Sequence, residues 1–380
     1  MVHGRGAVAT GRWRRLAVLC LALFLAWACV NFFLFPPAVQ SPAHASRSIH
    51  TSPILLNKGT WETGPGEALC ANEASICEHR EALENLRGTI RGQVLCKGMD
   101  VYTLSARVFN ALRDKEPGVV VRPLTVEDIK AALQAAANFN MTVTVKCGGH
   151  NPAGLATNDC GMLIDMYYMR GVHWDSDLHI IAEGGALWKH VHPLLAEANR
   201  SIVGGGCPDV GVVGLVVGGG VGWTSRSHGL AADNVLEATV VLPNSTVVTV
   251  DTDNQPDLFW ALKGAGGSNF GVVASVKLRT FPAHDHYFAG QFCFHRREND
   301  TADVLRVHGK VLQARDMDDR LTVDLFSSRH PPGEGDGDGY LPIRMCYGLF
   351  FDGPIDEALV IAKGVLEDLS TLVDEETACR

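Results

Sequence analysis

With 380 residues, 46% of them hydrophobic and 20% charged, the chain has ordinary globular composition and enough length for more than one domain. Its formal net charge of −9 argues against a nucleic-acid footprint. Eleven cysteines are too sparse for a disulfide-stapled mini-fold, and no C-x-x-C pair is present for a zinc ribbon or a thioredoxin-like site.

Residues 1–61 hold no Asp or Glu, yet carry Arg5, Arg12, Arg14, Arg15, Arg47 and Lys58. Arg14-Arg15 is followed by an apolar run from Leu16 to Phe35, broken only by Asn31. A bilayer needs about 20 apolar residues, so the run is long enough to span one. Residues 1–45 are therefore expected to be a signal peptide or a signal anchor, with Ala43-His44-Ala45 as a small-x-small cleavage site. The basic flank should stay cytosolic and the rest enter the secretory lumen. The acid-free stretch ending in Arg47-Ser48-Ile49-His50-Thr51-Ser52 also fits a mitochondrial presequence. A long unbroken apolar run is not an amphipathic helix, which favours the secretory route. Residues 46–77 read as a linker. Asn140, Asn199, Asn244 and Asn299 each open an N-x-[ST] triplet without proline, as glycosylation acceptors would. Cys70, Cys77 and Cys96 could supply a disulfide in an oxidising compartment, with the pairing left open.

From Glu78 to Leu86 the spacing predicts a short helix, and Gly118–Arg122 a strand closed by Pro123. Thr125 with Asp128 three residues on marks a helix start before Ile129, Leu133 and Ala136. Met141–Lys146 alternates as a strand and empties directly into Cys147-Gly148-Gly149-His150-Asn151. Strands are expected at Met162–Met166 and Leu178–Glu183, and an amphipathic helix at Trp188–Ala198. His190-x-His192 on that helix has ligand spacing but no nearby carboxylate, so no metal is expected.

Gly204 to Trp223 then packs nine glycines into twenty residues, interleaved with valines and Cys207. Glycine costs backbone entropy and packs nothing, so this density implies a backbone that approaches a ligand closely. The pattern is not G-x-G-x-x-G, because Trp223 stands where the last glycine would fall, and no G-x-x-x-x-G-K-[ST] occurs. A dinucleotide could bind, but not on a Rossmann turn. Val235–Leu242 and Thr246–Asp251 read as a hairpin, Asp257–Leu262 as a short helix and Phe270–Leu278 as a strand. Trp223, Trp260 and Phe270 are expected in the core. From His284 the composition shifts, which marks a second domain with strands at Leu321–Phe326 and Leu341–Phe351 and a helix over Pro354–Glu375. The acidic loop from Pro331 to Gly339 fails the calcium-loop template, lacking an acid at its last ligand position.

Gly148-Gly149-His150 and Cys207 both follow a strand inside a glycine-rich loop, where paired backbone N–H groups can cradle a pyrophosphate. Between Val119 and Pro282 the ordered motifs resemble the FAD-binding domain of the berberine bridge enzyme-like flavin oxidases, in the vanillyl-alcohol oxidase superfamily. The motifs are Val121-Arg122-Pro123 with Val126-Glu127-Asp128-Ile129, Gly148-Gly149-His150, and Gly206-Cys207-Pro208-x-Val210-Gly211-Val212-x-Gly214. Gly218-Gly219-Gly220-x-Gly222-Trp223, His228-Gly229-Leu230-x-x-Asp233-Asn234, Asp257-Leu258-Phe259-Trp260-Ala261 and Asn269-Phe270-Gly271-Val272-Val273 follow in the family's order.

The resemblance implies an α+β fold: a PCMH-type FAD-binding domain of two α/β subdomains over 78–283, then a partial antiparallel-sheet substrate domain over 284–380. It implies FAD tethered by His150 at the flavin 8α-methyl and by Cys207 at C6. Cys147, Asn151, Val212, Asp233, Asn234, Gly271 and Val272 join the glycines as cofactor-binding positions. Val210 falls where the family gates oxygen, and a small branched residue there resembles the oxidase type. The implied activity is oxidation of an alcohol, often a carbohydrate, with oxygen as acceptor. A dehydrogenase on the same fold, or a flavin-binding remnant without catalysis, are the alternatives; Cys207 weighs against lactone oxidases, which lack the second tether. Three departures stand out. Cys147 replaces the commoner Ser or Gly, Leu215 stands where several plant relatives have histidine, and the Tyr-x-Asn-Tyr motif with its catalytic tyrosine has no counterpart before Arg380. No catalytic base is assigned.

Overall fold

The structure, a computed structural model, describes residues 76–267, 269–296, 301–313, 317–329 and 343–370. The expected signal segment with its apolar run 16–35, Cys70, Asn299 and the acidic loop lie outside the described residues. Among the described residues no helix is long and apolar enough to cross a membrane. They fall into two compact units, divided between Ala283 and His284.

The first unit opens with helix α1 (Arg80–Thr89), strand β1 (Gln93–Leu95) and helix α2 (Tyr102–Ala106). Strand β2 (Val119–Arg122), helix α3 (Val126–Asn138), β3 (Val143–Lys146) and β4 (Met162–Asp165) follow. The sheet order is β1-β2-β4-β3, with β2, β4 and β3 parallel and β1 antiparallel at the edge. Every residue of β2 and β4 is buried, as befits parallel strands covered on both faces. Val119, Val121 and Ile164 pack with Ile129 and Leu133 of α3, while Val120 and Leu163 meet Leu95, Tyr102 and Ala106 on the other face. Thr125 caps α3 by accepting the Asp128 N–H at 3.3 Å. Asp128, itself buried, accepts from the N–H groups of Arg91, Gly92 and Leu124 at 2.8–3.1 Å, pinning the chain just before β1 and just after β2 to the helix start. Cys77 and Cys96 form a disulfide that ties the start of α1 to the end of β1.

A second sheet combines β5 (Val172–Ser176), β6 (His179–Glu183), β8 (Val235–Val241), β9 (Val247–Val250) and β10 (Val272–Arg279). Its order is β5-β6-β10-β8-β9 and every pair is antiparallel. Helices α4 (Trp188–Glu197), α5 (Val212–Val216), α6 (Ser225–His228) and α7 (Pro256–Ala265) lie along the chain between these strands. The two-residue strands β7 (Arg200–Ser201) and β11 (Phe281–Pro282) pair with each other. Trp188 is fully buried at the centre of this core. A Cβ on Gly204 would stand 2.5 Å from its indole ring, so the glycine-rich segment crosses the ring as bare backbone.

Two tryptophans depart from expectation. Trp260 is 80% exposed and Trp223 42% exposed, whereas Phe270 packs partly buried against the second core. Leu258–Leu262 is too densely apolar for one helical stripe, and only Phe259 and Leu262, three apart, are buried.

The unit from His284 has strands β12 (Phe288–Arg296), β13 (Leu321–Arg329) and β14 (Ile343–Phe351) in the order β12-β14-β13, all antiparallel. Helices α8 (Thr301–Gln313) and α9 (Ile355–Ser370) bury Val304, Val307, Ala358 and Ala362 against Leu321, Tyr347 and Phe351 of this sheet. Sequence periodicity missed β12 and α8. Gly290 and His295 blur the alternation of β12, and Val304, Val307, Gly309 and Val311 are poor helix formers.

Candidate flavin site

The parallel strands β2, β3 and β4 end in Arg122, Lys146 and Asp165. Arg122 Nε donates to Asp165 Oδ2 at 2.9 Å, and Lys146 Nζ lies 3.5 Å from the same oxygen. Lys146 also donates to the carbonyls of Ser105 and Arg107. Burial holds the Lys146 amine below its ordinary range, against the pull of Asp165. This charged layer sits at the carboxyl ends of the strands, where open α/β sheets place ligands, and Lys146 leads straight into Cys147–Asn151.

Two segments meet at that edge. Val212 N–H donates to the Ala186 carbonyl at 2.9 Å, Trp188 N–H to Val210 and Lys189 N–H to Pro208, so the start of α4 holds residues 208–212 in place. Leu187 and Gly211 form an isolated antiparallel bridge. A Cβ on Gly148 would stand 2.6 Å from Gly211 N and 2.7 Å from the Asp209 carbonyl, and one on Gly211 would strike Cys147 Sγ. The loops carrying His150 and Cys207 are thus packed backbone to backbone.

The glycines divide by what surrounds them. Gly148, Gly211, Gly220 and Gly222 are glycine because protein fills the space a Cβ would take; Gly222 meets the Gly204 backbone and Gly220 meets Leu215 and Ala231. Gly214 and Gly219 face open space, with nothing within 4 Å of a Cβ, and Gly218 meets only ordinary contacts at 3.4 and 3.5 Å. Gly219 has φ +104°, so it is held bare by conformation as well. This second set leaves an uncovered strip of backbone along α5 and the turn after it. A flat ligand such as FAD fits a surface of this kind.

His150 is partly exposed and stacks on Phe109, ring centroids 4.6 Å apart. Cys207 is a free, exposed thiol at a turn closed by Val210 N–H donating to its carbonyl at 3.3 Å. Val210 is half-buried against the second core. Cys147 is also free, but its sulfur is turned inward, 3.4 Å from the Ala186 carbonyl, and burial pushes its thiol up to about 12. Asp209 receives Lys189 Nζ at 2.7 Å; this bond, with smaller pulls from His150 and His190, holds its carboxyl below the ordinary range.

Other predicted positions serve their own loops. Asn151 Oδ1 accepts from Ala153 and Leu155 N–H. Asp233 Oδ2 accepts from Leu230 N–H, and buried Asn234 donates to the carbonyls of His228 and Leu230. Ala231 and Ala232 N–H then bond the Gly220 and Gly219 carbonyls at 2.8 Å, so this turn fixes the glycine strip. A Cβ on Gly271 would stand 2.5 Å from the Val241 carbonyl, and Val272 pairs with Val241 in the sheet. His190 Nδ1 accepts Leu187 N–H at the start of α4, and His192 Nε2 lies 3.2 Å from the Gly205 carbonyl.

Phe109, Lys189, Asp209 and the Arg122–Asp165–Lys146 layer escaped the sequence reading. The layer had a legible signal: a charge ending each of three apolar strands. Phe109 had none, since it belongs to the irregular stretch between α2 and β2.

The FAD binding domain family matches residues 117–251. Xylooligosaccharide oxidase of Thermothelomyces thermophilus is 38% identical over 208 residues, covering 54% of this chain and 42% of that protein. The structure of xylooligosaccharide oxidase from Myceliophthora thermophila C1 in complex with xylobiose superposes with a TM-score of 0.66 at 28% identity, covering 78% of this chain and 59% of that one. Glucooligosaccharide oxidase from Acremonium strictum, described with a 6-S-cysteinyl, 8α-N1-histidyl FAD, gives 0.65 at 25% identity, covering 74% and 57%. The chain therefore spans only about half the length of these relatives. Residues 117–251 therefore form an FAD binding domain, in a fold similar to that of these oligosaccharide oxidases.

Proposed function

We propose that the protein is an FAD-dependent oxidase of an alcohol, with a carbohydrate as the first substrate class to try, and that His150 and Cys207 both bond the flavin. The observation that carries this reading is the backbone-to-backbone packing of the two loops beside an uncovered glycine strip. The named relatives act on oligosaccharides, which supports the substrate class. Bound FAD would accept a hydride from a carbinol carbon and pass the electrons to dioxygen.

The protein's own part is to hold and shape. Cys147, Gly148, Gly149 and Asn151 would line the pyrophosphate, with Gly214, Gly218 and Gly219 beneath the flavin, Gly211, Val212, Gly220 and Gly222 packed behind that strip, and Val210 beside the oxygen path. Asp233 and Asn234 would set the turn behind them, with Gly271 and Val272 closing the strand side. His150, through a ring nitrogen, and Cys207, through its sulfur, would each hold the flavin by one covalent bond, with dioxygen taking up the two electrons and two protons that each attachment releases. Cys207 suits this role because its thiol is exposed, whereas Cys147 is held protonated.

The unit from His284 is read as part of a substrate domain. Secretion is proposed as the route, and the asparagines of three triplets, Asn140, Asn199 and Asn244, are exposed as glycosylation requires. Protein from a eukaryotic host should then shift in mobility on glycosidase treatment.

The deciding test is acid precipitation of flavin-supplemented protein. The pellet should stay yellow, and peptides around His150 and Cys207 should carry one flavin mass as a cross-linked species. His150→Ala and Cys207→Ala should each keep one tether, and the double variant should release its FAD. A colourless pellet from folded wild-type protein refutes the bicovalent reading. Peroxide release across oligosaccharides and simple alcohols then identifies the substrate class.

A further inference from the structure

Among the described residues Phe109 belongs to none of the four apolar cores and is 73% exposed, yet its ring lies against one face of His150 at an interplanar angle of 17°. An isolated exposed phenyl contributes little to stability through burial. Its backbone, however, is held to the His150 loop at several points. Phe109 N–H donates to the Gly149 carbonyl at 3.0 Å, and Asn110 Nδ2 donates to the Pro152 carbonyl at 2.8 Å. Lys146, anchored on Asp165, holds the Ser105 and Arg107 carbonyls just upstream. A Cβ on Gly149 would lie 3.3 Å from the Lys146 stem and 3.6 Å from Val108 Cα, so the two segments are in close contact. Val108 N–H donates to Asp114 Oδ1 at 3.2 Å, which stiffens the segment from within.

We propose that Phe109 is a positioning residue for His150: residues 105–114 form a brace that presents one aromatic face to the imidazole and fixes its orientation for flavin attachment. This rests on the histidyl tether proposed above. A histidine in a loop samples several rotamers, and bond formation needs the ring nitrogen aligned with the flavin 8α carbon. An aromatic face pressed on the ring removes rotamers without blocking its edge nitrogens, which a hydrogen-bonding partner would occupy.

The test isolates one tether. In a Cys207→Ala background only His150 can retain flavin through denaturation. Full-length protein made with little riboflavin is mixed with FAD, and acid-stable flavin on the His150 peptide is followed beside total bound flavin. Adding Phe109→Ala should slow attachment roughly tenfold to a hundredfold, the cost of a misoriented reactant, while reversible FAD binding persists. Phe109→Tyr should restore the rate of Cys207→Ala alone. Phe109→Leu, which keeps the bulk without the flat face and covers the case where alanine does not fold, should remain slow. Attachment in Phe109→Leu at the Cys207→Ala rate overturns the proposal, and so does a slow Phe109→Tyr. Absence of any acid-stable flavin in Cys207→Ala alone overturns the histidyl tether itself, and the role of Phe109 with it.

Discussion

Arg122 Nε donates to Asp165 Oδ2 at 2.9 Å with both side chains under one-tenth exposed, 7% and 2%. The carboxylate also faces Lys146 at 3.5 Å, so one buried anion serves two cations at the ends of three parallel strands. Desolvation makes such a cluster a poor source of net stability, but an asymmetric one to disturb. It fixes where β2, β3 and β4 stop, and hence where the loop of His150 starts.

Removing the shared anion should therefore be far worse than replacing the layer. Asp165→Ala leaves two buried cations facing each other and should cost about 3–5 kcal/mol in denaturant unfolding. Lys146→Met should be milder, and it should carry a pH signature. Burial lowers the amine in the folded state, so the unfolded chain binds the extra proton and Lys146 makes stability rise with pH towards the ordinary lysine range. Lys146→Met should flatten that rise. An Asp165→Ala protein as stable as wild type would remove the cluster from the architecture.

Two free cysteines, Cys147 and Cys207, should behave as opposites. Cys207 is exposed and should react with a thiol reagent in flavin-free protein, whereas Cys147 should stay unmodified until unfolding. The Cys147 thiol is raised to about 12 by burial. Its contribution to stability is complete below the ordinary thiol range, about 8.5, and is lost as pH climbs through the folded value. Cys147→Ser should blunt that alkaline loss. Prior loading with FAD should protect Cys207; equal labelling of the two residues would contradict this picture.

Much of the first unit was legible because its signals are local. The alternation of Met141–Lys146 and the Thr125 cap act over a few residues, and β3 and the cap appear where these place them, whereas the glycine run gave no sign of the short helix α5 within it. The reason for each glycine was not legible. Gly211 and Gly214 read alike in sequence, yet one is crowded by Cys147 and the other is open, a difference set by residues some sixty positions away. Phe109 and Lys189 were invisible for the same reason, since their partners His150 and Asp209 are brought to them only by the sheet order. Trp260 shows the converse error: composition suggested core, and helix geometry turned it outward.

If Val210 borders the face of the flavin that oxygen approaches, added bulk there should impede oxygen and leave the cofactor bound. Val210 is half-buried, its carbonyl accepting Trp188 N–H at 3.1 Å, so the backbone should hold while the side chain grows. Val210→Leu should slow reoxidation of the reduced flavin in stopped flow, with the flavin content unchanged. Reoxidation at the wild-type rate would remove Val210 from the gate.

The two classes of glycine give a paired test of where the cofactor lies. Gly211→Ala forces a methyl group into Cys147 Sγ at 2.3 Å and the Gly148 N at 2.8 Å, neither of which can swing aside. It should lose about 1–3 kcal/mol of stability through overpacking, and flavin content should fall as the two loops part. Gly214→Ala meets nothing within 4 Å and sits inside the short helix α5. There alanine should raise the stability of flavin-free protein by up to about 1 kcal/mol through helix propensity. If the open strip is the flavin's floor, the same methyl group should nevertheless weaken FAD binding. The decisive outcome is the opposite movement of two readouts in Gly214→Ala, unfolding midpoint up and FAD affinity down. Unchanged affinity would move the flavin off this strip, whatever the fate of Gly211→Ala.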